Sequence, residues 1–349
     1  PDAVPADPAD LATPRWSVRS RGDAAFLFYS SHVRQYATAA QKDVRFAVKL
    51  PGGTVTLPRQ GIEIPAGSYF IWPVNFDLDG YKVRYATAQP VARLDDGAGT
   101  TYVFAAQAGI PVEFALDGTA RACVRGHATG ASGDDVMVEA IAPGTGAAFR
   151  LDCPGRRAVT VLVLAADQAR RLTVADIAGR RRLVLSSAQA YADRGRLVLR
   201  SAGEPHVTAA VYPPLRLPAT SSAPLRVAGT DGLFQALEAT LPAVDIPVTA
   251  TPLRAAQPVP PVRIGGGAKA ALLPDAETFG ASAAWQLAVP RVLPKGIDGA
   301  LLDIAFTGDV ARLLDGTRMV DDWYYNGQRW QYDLRNLAPA NTGASKAAD

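Results

Sequence analysis

Hydrophobic and polar residues alternate with a period of two along much of the chain, in short runs separated by glycine, proline and aspartate. The run AAFLFYSS (24–31) is largely apolar, and VRFAVKL (44–50) alternates before the turn Pro51-Gly52-Gly53. Similar runs are TVTLP (54–58), IEIPAG (62–67), SYFIWPVNF (68–76), YKVRYATAQPVARL (81–94) and TYVFAA (101–106). Their spacing of about 8–12 residues predicts the antiparallel strands of an all-β fold built from serial β-sandwich domains.

The later part of the chain continues the pattern and divides into modules. Further strands are predicted at VMVEAIAP (136–143), RAVTVLVLA (157–165), RRLVLSS (181–187) and GRLVLRSA (195–202), while 165–179 has helical character that stops at Gly179. Pro- and Gly-rich stretches at 212–227 and 255–269 indicate connectors. We expect a linker at 1–14, a β-sandwich domain at 15–98, a second β-rich domain with a short helix at 99–214, a C-terminal jelly roll at 215–338 and a flexible tail at 339–349.

Composition narrows the class of protein. A chain of 349 residues predicts two or three domains, and 48% hydrophobic residues are enough for real cores. The net charge is only +3 and the arginines are dispersed, which argues against nucleic acid as a partner. No apolar run reaches the length of about 18 residues that a membrane span requires. The chain opens with PDAVPADPADLATP, which shows no signal peptide and is typical of a linker, so we expect a segment before it.

The stretch MVDDWYYNGQRWQYDL (319–334) concentrates five aromatic residues. Asp315-Gly316 and Asn326-Gly327 are hairpin signals on either side of its first strand. In the last strand Trp330, Tyr332 and Leu334 share a face by alternation, which predicts the closing, buried strand of a jelly roll. The alternative is a sugar-stacking platform of exposed rings, Trp323, Tyr324 and Trp330, beside Asp322, Asn326 and Arg329.

Residues that could carry catalysis or bind a metal show no recognisable pattern. Glu63 and Glu139 alternate with apolar neighbours, which places them on the solvent face of strands, and no catalytic pair is assigned to any glutamate. The histidines have no ligand spacing, so neither a metal nor a cofactor is predicted. Cys123 and Cys153 are thirty residues apart and fit no metal motif; they form either a disulfide between neighbouring strands or two buried thiols.

Several segments resemble one enzyme family. GDVARLLDG (308–316) followed by DDWYYNGQRWQYDL (321–334) is similar to the C-terminal end of bacterial glycoside hydrolase family 35 β-galactosidases. GDAAFLFYSSHVRQY (22–36), the stretches 70–94 and 101–118, and the segments 165–172 and 181–201 resemble the region that follows the catalytic barrel in that family. The resemblance covers most of the chain from Trp16 to Leu337.

The resemblance implies a function and its partners. Family members cleave terminal β-galactosides with retention, using two glutamates of a (β/α)₈ barrel, and no barrel pattern or matching glutamate is present in this chain. We therefore expect the non-catalytic, accessory part of such an enzyme, with a last domain resembling a galactose-binding jelly roll and a barrel as partner in the same polypeptide or a companion chain. A periplasmic or secreted location and a Cys123–Cys153 disulfide follow from the same resemblance. Trp72 or Trp323 would lie at an interdomain face, and Trp323, Tyr324, Asn326 and Arg329 are the candidate contacts to the galactoside; a stand-alone galactoside-binding module is the alternative.

Overall fold

A computed structural model of the chain describes residues 4–7, 9–33, 36–95, 97, 99–216, 224–244, 246–258, 261–267, 271–290, 292–294, 297 and 299–337. Its regular structure is almost entirely β-strand in antiparallel sheets, which confirms the predicted all-β class. The chain divides into two compact units, Pro1–Leu241 and Pro242–Asp349. The stretches 4–7 and 9–15 contain neither helix nor strand, and the predicted tail at 339–349 lies outside the described residues.

The first unit holds the longer strands. In chain order they begin with β1 (Trp16–Arg21), β2 (Ala24–Ser30), β3 (Gln41–Leu50), β4 (Gly53–Ile64), β5 (Tyr69–Leu78), β6 (Tyr81–Ala86), β7 (Ala88–Asp95), β8 (Thr100–Ala106) and β9 (Phe114–Leu116). The middle of the unit contains β10 (Val124–Arg125), β11 (Gly130–Ser132), β12 (Asp135–Val138), β13 (Ala147–Leu151), β14 (Val159–Leu164) and the helix α1 (Ala166–Arg170). It ends with β15 (Leu172–Ile177), β16 (Arg180–Ser186), β17 (Gln189–Asp193), β18 (Arg196–Arg200), β19 (His206–Tyr212), β20 (Leu225–Asp231) and β21 (Phe234–Thr240).

These strands stack as five layers. The first sheet has the order β1-β2-β5-β6-β9-β12-β11, the second β10-β13-β14-β8-β7 and the third β15-β16-β19-β21-β20. Four hydrophobic clusters separate the layers: the β3–β4 hairpin packs on the first sheet, the first on the second, the second on the third, and the third on the β17–β18 hairpin. Three sheets are therefore buried on both faces.

Burial on both faces explains why some strands lack alternation. In β8 the rings of Tyr102 and Phe104 contact the first sheet, and Val103 between them packs toward the third. The neighbouring β14 runs parallel to β8 and divides its side chains in the same way. A strand at the centre of such a stack is expected to be apolar on both faces, and the sequence VTVLVL of β14 is apolar at every position except Thr160.

Asn75 redirects the side chains of β5. Phe70, Trp72 and Val74 pack under the β3–β4 hairpin, whereas Phe76, two residues farther along, packs toward the second sheet. Asn75 has a φ of +49°, a left-handed conformation that asparagine tolerates better than most residues. Trp72 is fully buried in this core, so the expectation that it lies at an interdomain face is wrong.

Strand pairing crosses the predicted domain limits. The first sheet joins strands from both sides of residue 98, and the third sheet joins strands from both sides of residue 214. Both pairings are non-local, and periodicity within a segment carries no information about which distant strand it will join. The predicted helix at 165–179 is also largely wrong: α1 ends at Arg170, and β15 takes the rest up to Ile177, where the β-branched residues Thr173 and Val174 favour a strand.

The second unit contains shorter elements. They are β22 (Thr249–Arg254), the helix α2 (Ala276–Ala281), β23 (Ala284–Ala288), β24 (Leu301–Ile304), β25 (Val310–Asp315), β26 (Arg318–Tyr324) and β27 (Trp330–Asp333). Among the described residues they pair as three antiparallel ribbons, β22–β23, β24–β27 and β25–β26. The Asp315-Gly316 hairpin is confirmed, whereas Asn326-Gly327 joins two different ribbons and the hairpin predicted there is wrong. The jelly roll stays a prediction.

The two cysteines form a disulfide in the first unit. Cys123 and Cys153 have Cα atoms 4.9 Å apart and flank the paired strands β10 and β13, which confirms the predicted bridge. None of the helices in the described part of the chain has the length and apolar character needed to cross a membrane.

Replacing both cysteines by serine should lower the free energy of unfolding by about 3–4 kcal/mol, because the bridge closes a loop of 30 residues in the unfolded chain. Urea denaturation followed by circular dichroism measures this difference. Reducing agent should destabilise the wild type by a similar amount and leave the double variant unchanged. Equal unfolding midpoints for the oxidised wild type and the variant would show that the bridge does not stabilise the fold.

Candidate functional site

The aromatic stretch of the second unit is partly core. Trp330 is 2% exposed and Tyr332 5% exposed, and both face the same side of β27, as predicted. The indole N–H of Trp330 donates a hydrogen bond to a carboxylate oxygen of Asp321 (2.8 Å), which satisfies its one polar group. Leu334 does not continue this face, because the strand ends at Asp333 and a short 3-10 helix begins. Trp330 is therefore a structural anchor and offers no surface to a sugar.

Trp323 and Tyr324 point in opposite directions from β26. They are adjacent in an extended strand, so their side chains leave opposite faces. Trp323 is half-buried, and its indole N–H is buried without a hydrogen-bond partner among the described residues. Tyr324 is 60% exposed. These two rings cannot stack together on one sugar.

Asn326 and Arg329 form the loop after β26. The side-chain oxygen of Asn326 accepts a hydrogen bond from the N–H of Gln328 (3.0 Å), which fixes the turn. Arg329 makes an exposed ion pair with Asp303, with Nε 2.7 Å from Oδ1. Tyr324 and Tyr325 beside this loop are both exposed. The loop thus presents rings and a charged pair to solvent, and the contact of Trp323, Tyr324, Asn326 and Arg329 with a galactoside stays a prediction.

The structure also assembles a polar cluster that the sequence did not indicate. The main-chain N–H of Arg59 and the hydroxyl of Tyr85 both donate to Oε1 of Glu113, each at 2.7 Å. The guanidinium of Arg59 donates to both carboxylate oxygens of Glu139, at 3.2 and 3.1 Å. Arg59 lies on β4, so these bonds tie the β3–β4 hairpin to the first sheet.

Strand register explains why the two glutamates meet. The pairing of β9 with β12 sets Phe114 opposite Val138, and one further step places Glu113 opposite Glu139. Two like charges in directly opposed positions repel each other; the guanidinium of Arg59 compensates Glu139, while Glu113 accepts hydrogen bonds from the main-chain N–H of Arg59 and from Tyr85. Each glutamate read alone is an ordinary polar residue at the end of a strand. Only the register of β9 against β12 shows that the two glutamates meet, and the sequence does not reveal that register.

Burial makes Tyr85 hard to ionise. Tyr85 is 5% exposed; its burial, and then the negative charge of the hydrogen-bonded Glu113, hold the pKa of its hydroxyl well above the usual range. Burial likewise raises the pKa of the nearby Asp135 carboxyl, although Arg84, 3.6 Å away, acts against the shift. The cluster therefore keeps the Tyr85 hydroxyl protonated as a hydrogen-bond donor to Glu113.

The DLDG segment (77–80) is a turn. Asp77 accepts a hydrogen bond from the N–H of Gly80 (2.8 Å), and Asp79 accepts bonds from Arg93, Thr100 and Tyr102. Burial acts to raise the pKa of the Asp79 carboxyl, but those hydrogen bonds together hold it below its ordinary value. Within the described ranges, no group of three or more His, Cys, Asp or Glu residues is arranged to hold a metal ion.

No protein-family model matches the chain, and no curated protein matches it. Inferences about function therefore depend on the chain's own residues and on the resemblance of its motifs.

Changing Trp330 to Ala should destabilise the second unit by about 3–5 kcal/mol, because it removes a large buried ring. Trp330→Phe should cost less, about 1.5–3 kcal/mol, since it mainly removes the hydrogen bond to the Asp321 carboxylate. Chemical denaturation of the full chain measures both. Tyr324→Ala is the matched control on an exposed ring and should change stability by no more than about 0.5 kcal/mol. Equal effects of Trp330→Ala and Tyr324→Ala would contradict the assignment of Trp330 to the core.

The raised pKa of Tyr85 predicts a loss of stability in alkali. Above the ordinary tyrosine pKa of about 10, the unfolded chain has lost the Tyr85 proton while the folded chain keeps it. Unfolding then releases a proton, so the free energy of unfolding falls as pH rises, by up to about 1.4 kcal/mol per pH unit from this residue. Tyr85→Phe should be less stable at pH 7 and should show a shallower decline between pH 9 and 11 than the wild type. Parallel pH profiles for the two proteins would refute this role.

Proposed function

We propose that this chain is the accessory C-terminal part of a family 35 β-galactosidase, which braces the catalytic (β/α)₈ barrel of an enzyme that cleaves terminal β-galactosides. The observation that carries the proposal is the resemblance of 308–316 and 321–334 to the C-terminal motif of that family. The all-β fold supports it, because the region after the barrel in that family is expected to be built of β-domains.

The carboxylates of this chain support an accessory role. Retaining hydrolysis needs two carboxyl groups about 5–5.5 Å apart, with a sugar between them. Glu113 and Glu139 stand opposite each other in the first sheet, but both are engaged by Arg59. Glu113 also accepts a hydrogen bond from the hydroxyl of Tyr85, so both glutamates already have partners within the chain. The catalytic glutamates are therefore proposed to belong to the barrel.

The surface of the second unit supports a partner domain. Among its described residues only Leu302, Trp330 and Tyr332 are buried apolar side chains. Most of the exposed large apolar side chains of the described chain also lie in this unit, including Leu253, Trp285 and Val292. Large exposed apolar patches mark interaction surfaces, and we propose that these side chains contribute to one. The proposed occupant is the barrel, in the same polypeptide or in a companion chain.

The disulfide supports an oxidising compartment. Structural bridges such as Cys123–Cys153 persist in secreted and periplasmic proteins and are rare where thiols are kept reduced. A periplasmic or secreted location is accordingly part of the proposal.

A galactoside-binding module that works alone is the second candidate. The exposed rings of Tyr324 and Tyr325 beside Arg329 favour it, because exposed tyrosines next to polar groups suit sugar recognition. Titration of the wild type and of Tyr324→Ala with galactose distinguishes the two. A stand-alone module binds the sugar through these residues without any barrel, and Tyr324→Ala abolishes that binding.

The isolated chain should not hydrolyse a chromogenic β-galactoside such as p-nitrophenyl β-D-galactopyranoside. The physical reason is that its glutamate pair is occupied by Arg59 and Tyr85. Glu113→Gln and Glu139→Gln serve as controls for any trace of turnover. Turnover by the pure chain that either substitution abolishes would overturn the accessory role.

The natural polypeptide provides a second test. Its mass should exceed the 36.7 kDa of this chain by a barrel of about 250 residues or more, or a barrel-bearing chain should co-purify with it. Mass spectrometry of protein captured from its source measures this. A natural product of 36.7 kDa without a barrel-bearing companion would contradict the proposal.

A further inference from the structure

One corner of the first sheet carries an open cleft of about 610 Å³. It lies where β1, β2 and β5 run side by side, on the face that points toward the second sheet. The second sheet ends at its edge strand β7, so the outermost strands of the first sheet extend beyond it. Phe28 and Ile71 are only half-buried there, unlike the fully covered residues at the centre of the sheet.

Strand register arranges the lining of the cleft in two rows. Ser17, Phe28 and Ile71 are paired across the three strands and form the first row. Ser30 and Tyr69 are paired in the next row. Residues of both rows lie on one face of the sheet, because they alternate with the buried Tyr29 and Phe70. A floor of apolar and aromatic side chains is thus bordered by hydroxyl groups.

Two further features of the cleft suit a polar ligand: an exposed aromatic ring and a fixed amide group. Tyr69 is 65% exposed, which makes it the most exposed aromatic residue among those described in the first unit. Gln89 lines the cleft, and its side-chain oxygen accepts a hydrogen bond from the N–H of Ile71 (3.1 Å). That bond fixes the amide, so its NH₂ group is held in place as a donor.

We propose that this cleft binds a hexopyranose unit of a carbohydrate. A pyranose ring has an apolar C–H face rimmed by hydroxyl groups, and the cleft offers the complement: the ring of Tyr69 and the side chains of Phe28 and Ile71 for the C–H face, and Ser17, Ser30 and Gln89 for the hydroxyls. The volume lies within the range of about 300–1,000 Å³ typical of small-ligand sites. An apolar ligand would leave these polar groups unsatisfied. The inference goes beyond the proposed function and stands without it, because it uses only residues of the first unit.

Calorimetric titration of the full chain with galactose, lactose and cellobiose tests the proposal. An open site of this size should bind at least one of the three with a dissociation constant on the order of 1 mM. Amide NMR shifts should place the sugar at Ser30, Tyr69 and Gln89. Absence of saturable binding for all three sugars would overturn the proposal.

Substitutions locate the site. Tyr69→Ala should weaken binding at least tenfold, whereas Tyr69→Phe, which keeps the ring, should stay within about threefold of the wild type. Because Tyr69 is exposed, neither change should shift the unfolding midpoint. Tyr191→Ala, on an exposed ring of β17, is the matched control and should bind normally. If Tyr324→Ala abolishes sugar binding and Tyr69→Ala does not, the sugar binds to the second unit and the cleft is not the site.

Discussion

Burial of the first sheet on both faces is the constraint on which the rest of the first unit depends. On one face Trp72 and Phe70 stack under the β3–β4 hairpin, with ring centroids 3.9 Å apart. On the other, Phe114 lies edge-on between Phe104 and Phe149, at 5.0 and 5.2 Å. Fully burying one such ring contributes about 1.5–3 kcal/mol. If either the β3–β4 hairpin or the second sheet separated from the first sheet, it would expose an apolar face of that sheet to water.

The same constraint positions the features that could have a function. Arg59 of the β3–β4 hairpin binds the two opposed glutamates of the first sheet and so ties these layers together. Where the second sheet ends at β7, the outer strands keep one face open, and Tyr69 borders the resulting cleft. In the second unit the described ribbons bury few apolar side chains, which suits a domain that packs against a partner. The proposed ligand cleft therefore lies where the second sheet stops short of the first.

Sequence patterns predicted what depends on local periodicity and missed what depends on pairing. The all-β class and the buried Trp330 follow from alternation within single strands, and the Cys123–Cys153 bridge was expected from the resemblance. The sheets that cross residues 98 and 214, and the meeting of Glu113 with Glu139, depend on which distant strands pair. The Asn326-Gly327 signal was locally sound, since the turn exists. Tertiary pairing sends its two flanking strands to different partners.

Hydrogen exchange of the backbone amides tests the central claim most directly. If burial on both faces holds the first unit together, the amides of Trp72 and Val74 in β5 should exchange only through global unfolding. Amides of the β17–β18 hairpin, which is an outermost layer and packs on the third sheet with one face, should exchange faster through local opening. Exchange of the β5 amides at the rate of that hairpin would contradict the account, because a sheet buried on both faces would then be no more stable than a hairpin covered on one face.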